Sequence, residues 1–108
     1  MAEYALGCLL SHRLQLRTFA QAQRQQTWLA GSVSPIQGST ALIIGLGKTG
    51  CAVAHRFNAM GLTVLGARAN PKPTEYVDEV HSIEQLSTLI PRADVMVCAV
   101  PLLSLIHI

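Results

Sequence analysis

The hexapeptide Gly45-Leu46-Gly47-Lys48-Thr49-Gly50 constrains this chain more than any other stretch. A G-x-G-x-x-G pattern by itself is a weak signal, and its setting gives it weight. Ala41-Leu42-Ile43-Ile44, directly before it, is a continuous apolar run of the kind that forms a strand buried on both faces. Residues 49–60, which open on the loop, read as a helix. Val53, Phe57 and Met60 fall on one face at i, i+4 and i+7, and Gly61 is the stop. Thr63-Val64-Leu65-Gly66-Ala67 then reads as a second strand. Such a β-α-β unit needs parallel pairing and a right-handed crossover.

The loop chemistry follows from this placement. Gly45 allows the tight turn, Gly47 lets a pyrophosphate approach the backbone, and Gly50 lets the helix pack against the strand. Free N–H groups around Lys48 and Thr49 face the anion with the helix dipole behind them. The neighbouring P-loop pattern is excluded, because the four-residue insert between its glycines is missing. At the end of the second strand a dinucleotide site usually carries an acid for the ribose 2′-OH. Here that position holds Arg68, and no acid follows until Glu75. A guanidinium pairs with a 2′-phosphate that a carboxylate would repel, so NADP(H) is expected over NAD(H).

The rest of the chain extends the alternation. Residues 2–29 read as one long helix, with Leu6, Leu9 and Leu10 on its apolar side and Leu14, Phe19 and Trp28 continuing it. At 1.5 Å per residue it would measure about 40 Å, too long for the small domain to cover. It is expected to brace a second domain or subunit. Residues 30–40 form a Gly-, Ser- and Pro-rich connector. Residues 69–81 read as a loop, since Pro71 and Pro73 interrupt regular structure. Ser82 with Gln85 forms a capping box for a short helix ending near Pro91. Val95 to Val100 reads as a third, wholly apolar strand. A sheet ending there leaves an unpaired edge, so self-association is expected of the isolated chain.

Composition removes other classes. The chain has 108 residues, a net charge of +2 and scattered basic residues, so nucleic acid is not an expected partner. Mean hydropathy is high at +0.36, yet no apolar run reaches the roughly 20 residues of a membrane span. Glu3 and the short apolar stretch Tyr4 to Leu10 do not fit a secretory leader. Cys8, Cys51 and Cys98 lack disulfide or zinc spacing and are expected to be small core residues in a reducing, cytoplasmic setting.

Taken in order, the segments AEYALG, ALIIGLGKTG, GLTVLGAR and EQLSTLIPRADVMVCAVPL resemble the D-isomer-specific 2-hydroxyacid dehydrogenases. Arg68 resembles the glyoxylate and hydroxypyruvate reductase branch. The resemblance implies an α/β fold: a partial Rossmann domain, a doubly wound parallel sheet, at 41–102, preceded by an interdomain and dimerisation helix with its connector at 1–40. It implies a hydride-transfer enzyme that acts on a 2-oxo or 2-hydroxy acid, works as a homodimer when full length, and uses NADP, with NAD the less favoured cofactor. Gly45, Leu46, Gly47, Lys48, Thr49 and Gly50 map to the pyrophosphate loop, Arg68 to the adenosine ribose, and Val100 and Pro101 to the loop flanking the cofactor. The family's catalytic Arg, Glu and His would lie downstream. His12, His55 and His81 match none of them and are expected to be surface or packing residues. Residues 103–108, LSLIHI, depart from the family and can be encoded by CTGTCTCTTATACACATC, which resembles a library adapter, so they are expected to be a non-native tail. The alternative reading is a non-catalytic dinucleotide-sensing module.

Overall fold

Five residues with no charged side chain, Thr40–Ile44, form the central strand β1. In the computed structural model, the described residues are 2–26, 28 and 35–100. The expectations for residues 27 and 29 of the long helix, for residues 30–34 of the connector, for Pro101 and for the 103–108 tail fall outside them. Beside β1 lie β2 (Thr63–Arg68), β3 (Glu79–Ser82) and β4 (Val95–Cys98). The order is β3-β2-β1-β4, and every pair is parallel. Helix α1 (Ala2–Arg13) and helix α2 (Leu16–Arg24) precede the sheet, α3 (Lys48–Ala59) joins β1 to β2, and α4 (Leu86–Leu89) lies between short 3-10 turns before β4.

The alternation of β1 explains its two-sided burial. Ala41 and Ile43 face one cluster with Val53, Ala54, Phe57 and Val64, under α3 and α1. Leu42 faces the other with Leu65, Ala67 and Leu89. Leu42, Ile43, Phe57 and Leu65 are fully buried, and each such side chain contributes about 1.5–3 kcal/mol of transfer free energy. Two aspartates start the flanking strands in the same way. Asp78 donates its N–H to Val64 O at 2.8 Å and accepts the Val64 N–H on Oδ2 at 2.7 Å. Asp94 does the same to Thr40, at 2.8 Å in both directions. Each pair of bonds fixes where a lateral strand begins its ladder. Ser82 and Gln85 form the expected capping box.

Several expectations need correction. The helix read over 2–29 is broken: Gln15 adopts φ 54, the left-handed region, and α2 leaves in a new direction, ending at Arg24. Ala2, Leu6 and Leu9 seat α1 on the core, whereas α2 buries no residue, so packing supports the first segment alone. Arg13 Nη1 also bonds Pro35 O at 3.0 Å, holding the end of α1 against the connector. The loop read over 69–81 contains strand β3, so the sheet has four strands instead of three. Its polar residues suit an edge position, and Asp78 sets its start. The strand read over 95–100 ends at Cys98, and it is half-exposed because one face is uncovered: Val95 and Val97 pack against the core, whereas Met96, 51% exposed, and Cys98 face outward. Cys8 and Cys98 are exposed and are not core residues, whereas Cys51 is half-buried and packs against the core. Met60 lies past the end of α3 and is exposed as well.

Candidate functional site

The chain runs β1, β2, β3 in one direction across the sheet, then crosses back to place β4 on the far side of β1. The carboxyl end of β1 is therefore a topological switch point, where open α/β sheets form their crevice. The glycine loop lies there. Gly45 takes φ +96, and its N–H donates to Ala67 O at 2.8 Å, tying the loop to β2. A Cβ on Gly45 would stand 2.8 Å from Val100 Cγ1 and 2.9 Å from Ala99 O. On Gly50 it would collide with the Gly45 carbonyl oxygen, so this glycine sets how closely α3 approaches the strand. Gly47 differs, because a Cβ there would meet no protein atom within 4 Å. The space over Gly47 opens into the cleft. Gly47 is also the N-cap of α3 and offers no side-chain acceptor to the first-turn amides. Those amides are left for an anion.

Gly45, Leu46, Gly47, Lys48, Thr49, Arg68 and Val100 all line one open cleft of about 1390 Å³, along with Ala69 and Asn70. Gly50 lies buried behind it. Leu46 differs from its loop neighbours: its side chain is 6% exposed and belongs to the core under α3, so only its backbone can face a ligand. Leu46 O accepts the Cys51 Sγ–H at 3.3 Å. The side chains of Lys48 and Arg68 make no hydrogen bond or ion pair with another described residue. The one carboxylate among the described cleft residues, Asp94, is engaged with Thr40 N at the opposite end of β1. The loop end of the cleft is thus cationic, with both cations available.

His55 and His81 stand apart from this chemistry. His55 stacks on Tyr76, ring centroids 4.2 Å apart. His81 Nε2 lies 3.0 Å from Glu79 Oε1, and Arg92 donates to both Glu79 oxygens, at 2.7 and 3.2 Å. The Arg92 hydrogen bond, and after it that of His81, holds the Glu79 carboxyl down at about 2. His12 is exposed on α1 and borders the cleft. No group of three His, Cys, Asp or Glu that could hold a metal occurs among the described residues. None of the described helices is long and apolar enough to cross a membrane. Sequence reading did not single out Asn70, which lines the same cleft; its position two residues after Arg68 is the signal that could have found it.

A glycine loop at the switch point of a 3-2-1-4 parallel sheet, with uncapped helix amides and free cations, defines a dinucleotide-binding α/β domain. Comparison with known proteins narrows the class. The family described as D-isomer specific 2-hydroxyacid dehydrogenase, NAD binding domain, matches residues 6–105, and the chain belongs to it. D-3-phosphoglycerate dehydrogenase of Mycobacterium tuberculosis (strain ATCC 25618 / H37Rv) is 33% identical over 95 residues, 86% of this chain and 18% of that protein. A D-isomer specific 2-hydroxyacid dehydrogenase family protein from Aeromonas salmonicida subsp. salmonicida A449 matches with TM-score 0.89 and 32% identity, over 93% of this chain and 32% of that one. The NADPH-dependent glyoxylate/hydroxypyruvate reductase of Sinorhizobium meliloti, solved with NADP and sulfate, matches with TM-score 0.83 and 27% identity, over 94% of this chain and 32% of that one. The chain therefore spans about a fifth of the curated relatives' length and about a third of these solved chains.

Proposed function

We propose that this segment is the NADP(H)-binding part of an oxidoreductase that moves a hydride between the nicotinamide and C2 of a 2-oxo or 2-hydroxy acid, glyoxylate or hydroxypyruvate in type. Arg68 carries the cofactor reading. It ends β2 beside the glycine loop, in the same cleft, with no partner among the described residues and no acid beside it. Gly45, Gly47, Lys48, Thr49 and Gly50, with the Leu46 backbone, hold the pyrophosphate, and Val100 and Pro101 flank the cofactor. Bound there, the dinucleotide supplies the hydride. The chain's own residues bind it, orient it and neutralise its phosphates. Support for the reductase branch comes from the Sinorhizobium relative, whose name gives both NADPH and glyoxylate/hydroxypyruvate. The curated mycobacterial relative instead bears the name D-3-phosphoglycerate dehydrogenase, so the substrate class is tested with both.

Within the interdomain and dimer arm expected of residues 1–40, α2 is the segment free to reach a second domain or subunit, since none of its residues is buried, whereas α1 is seated on the core. A cytoplasmic location fits the exposed free thiols of Cys8 and Cys98. The test uses the full-length polypeptide that carries this segment. NADPH- and NADH-dependent turnover are measured with glyoxylate, hydroxypyruvate and D-3-phosphoglycerate. Arg68→Asp should lower kcat/KM for NADPH at least tenfold relative to NADH; an unchanged ratio refutes the cofactor assignment. Binding without turnover on any of these acids would favour the non-catalytic sensing module.

A further inference from the structure

Leu46 joins the two halves of the dinucleotide cleft. It sits between Gly45 and Gly47 in the phosphate loop, yet its side chain leaves the cleft and enters the core. There it occupies a notch over β2 that exists because residue 66 has no side chain. A Cβ on Gly66 would fall 2.6 Å from Leu46 Cδ1 and 3.2 Å from Cδ2. Val77 Cγ1, 3.1 Å from the same point, bounds the notch on another side. Val77 comes from the segment that leaves β2 after Arg68 and returns to it. That segment is fastened by Asp78 on Val64 and by Tyr76, φ 67, stacked on His55 of α3. The phosphate loop thus reaches the strand that ends in Arg68, at a notch that the following segment also bounds.

We propose that Leu46, Gly66 and Val77 are positioning residues: the Leu46 side chain, seated in the Gly66 notch under Val77, sets the spacing between the phosphate loop and Arg68. The inference rests on the NADP(H) reading above. NADP(H) must engage the phosphate loop and Arg68 together, so its affinity depends on their separation. Adenosine 2′-monophosphate reaches only the Arg68 end and does not depend on it. A methyl at residue 66 displaces the end of the Leu46 side chain, and because Val77 bounds the other side of the notch that displacement is expected to pass to the loop backbone.

The experiment measures the Kd of NADPH and of adenosine 2′-monophosphate on the full chain, with a thermal melt for each variant. Gly66→Ala should weaken NADPH by roughly tenfold, since ångström-scale misplacement is enough to cost that much. It should leave adenosine 2′-monophosphate within about twofold of its original affinity. Gly66→Ala combined with Leu46→Ala removes the collision and should bind NADPH more tightly than Gly66→Ala alone. Equal weakening of both ligands, or no rescue in the double variant, overturns the proposal and leaves the residues as packing only. If Gly66→Ala fails to fold, Val77→Ala carries the same test, with NADPH weakened and the monophosphate unchanged. Failure of the unaltered chain to bind NADPH would instead sink the cofactor reading, and this inference with it.

Discussion

Replacing Gly47 and Gly50 with alanine separates binding from folding, because the two glycines have opposite surroundings. A methyl on Gly50 would collide with the Gly45 carbonyl oxygen and lie 3.0 Å from its carbon and 3.4 Å from Ile43 Cγ2. The first obstacle is backbone, so α3 must move away from the strand. That overpacking costs about 2 kcal/mol, equivalent to roughly 8–16 °C in Tm for a domain near this size. A methyl on Gly47 meets no protein atom within 4 Å, and its φ of −78 suits any L residue. Alanine is a poorer N-cap than glycine by up to about 1 kcal/mol, but it restricts the unfolded chain by about 0.4–1 kcal/mol. Stability should therefore stay within about 0.5 kcal/mol. The same methyl stands where the pyrophosphate approaches the backbone, so NADPH affinity should fall tenfold to a hundredfold, about 1.4–3 kcal/mol. Differential scanning fluorimetry and an NADPH fluorescence titration read the two effects. If Gly47→Ala melts as early as Gly50→Ala, or binds NADPH unchanged, the assignment of the loop is wrong.

Three further outcomes follow from the geometry. The Glu79 carboxyl is held below its ordinary value, so its contribution is complete above pH 4.5 and is lost as pH falls toward about 2. The Tm of Glu79→Gln should therefore converge with that of the unaltered chain across this window, and parallel melting curves down to pH 2 would refute the Arg92 and His81 attachment. Asp94→Ala and Asp78→Ala each remove an acceptor for a strand-end amide and should cost about 1–2 kcal/mol; urea denaturation checks this, and no change would show the bonds to be incidental. Helix α2 buries nothing, and Leu16 and Trp28 are 52% and 91% exposed. Sedimentation should thus show concentration-dependent self-association that Leu16→Glu reduces, while a monomer at all concentrations would contradict it.

What could be read without coordinates shares a physical origin. The continuous apolar run of β1, the glycine spacing, the i, i+4 face of Val53 and Phe57, and the Ser82–Gln85 capping box are local patterns. Their energetics are set within a turn or two of chain, so the phosphate loop and the end of β2 were legible, Arg68 included. Elements whose existence depends on a distant partner were not. Glu79-Val80-His81-Ser82 has no strand pattern of its own; it becomes β3 because Leu65 to Arg68 offer it a ladder and Asp78 sets the register. No Gly or Pro marks the break at Gln15. It falls between α1, which is seated on the core, and α2, which is not. Val95 to Val100 reads as wholly apolar, yet β4 ends at Cys98 and is covered only on the face of Val95 and Val97, because nothing among the described residues packs over Met96 and Cys98.

The glycine loop shows both kinds of information in six residues. The sequence alone determined that a strand would turn there into a helix with free amides, since only backbone geometry was at issue. Tertiary structure decided the task of Leu46, seated in the notch left by Gly66, and supplied the atoms behind the roles read for its neighbours: the Gly45 carbonyl oxygen against Gly50 and open space over Gly47. The Leu46 seat depends on which atoms of β2 and of the segment after it arrive beside the loop. Non-local contacts of that kind leave no periodicity in the chain.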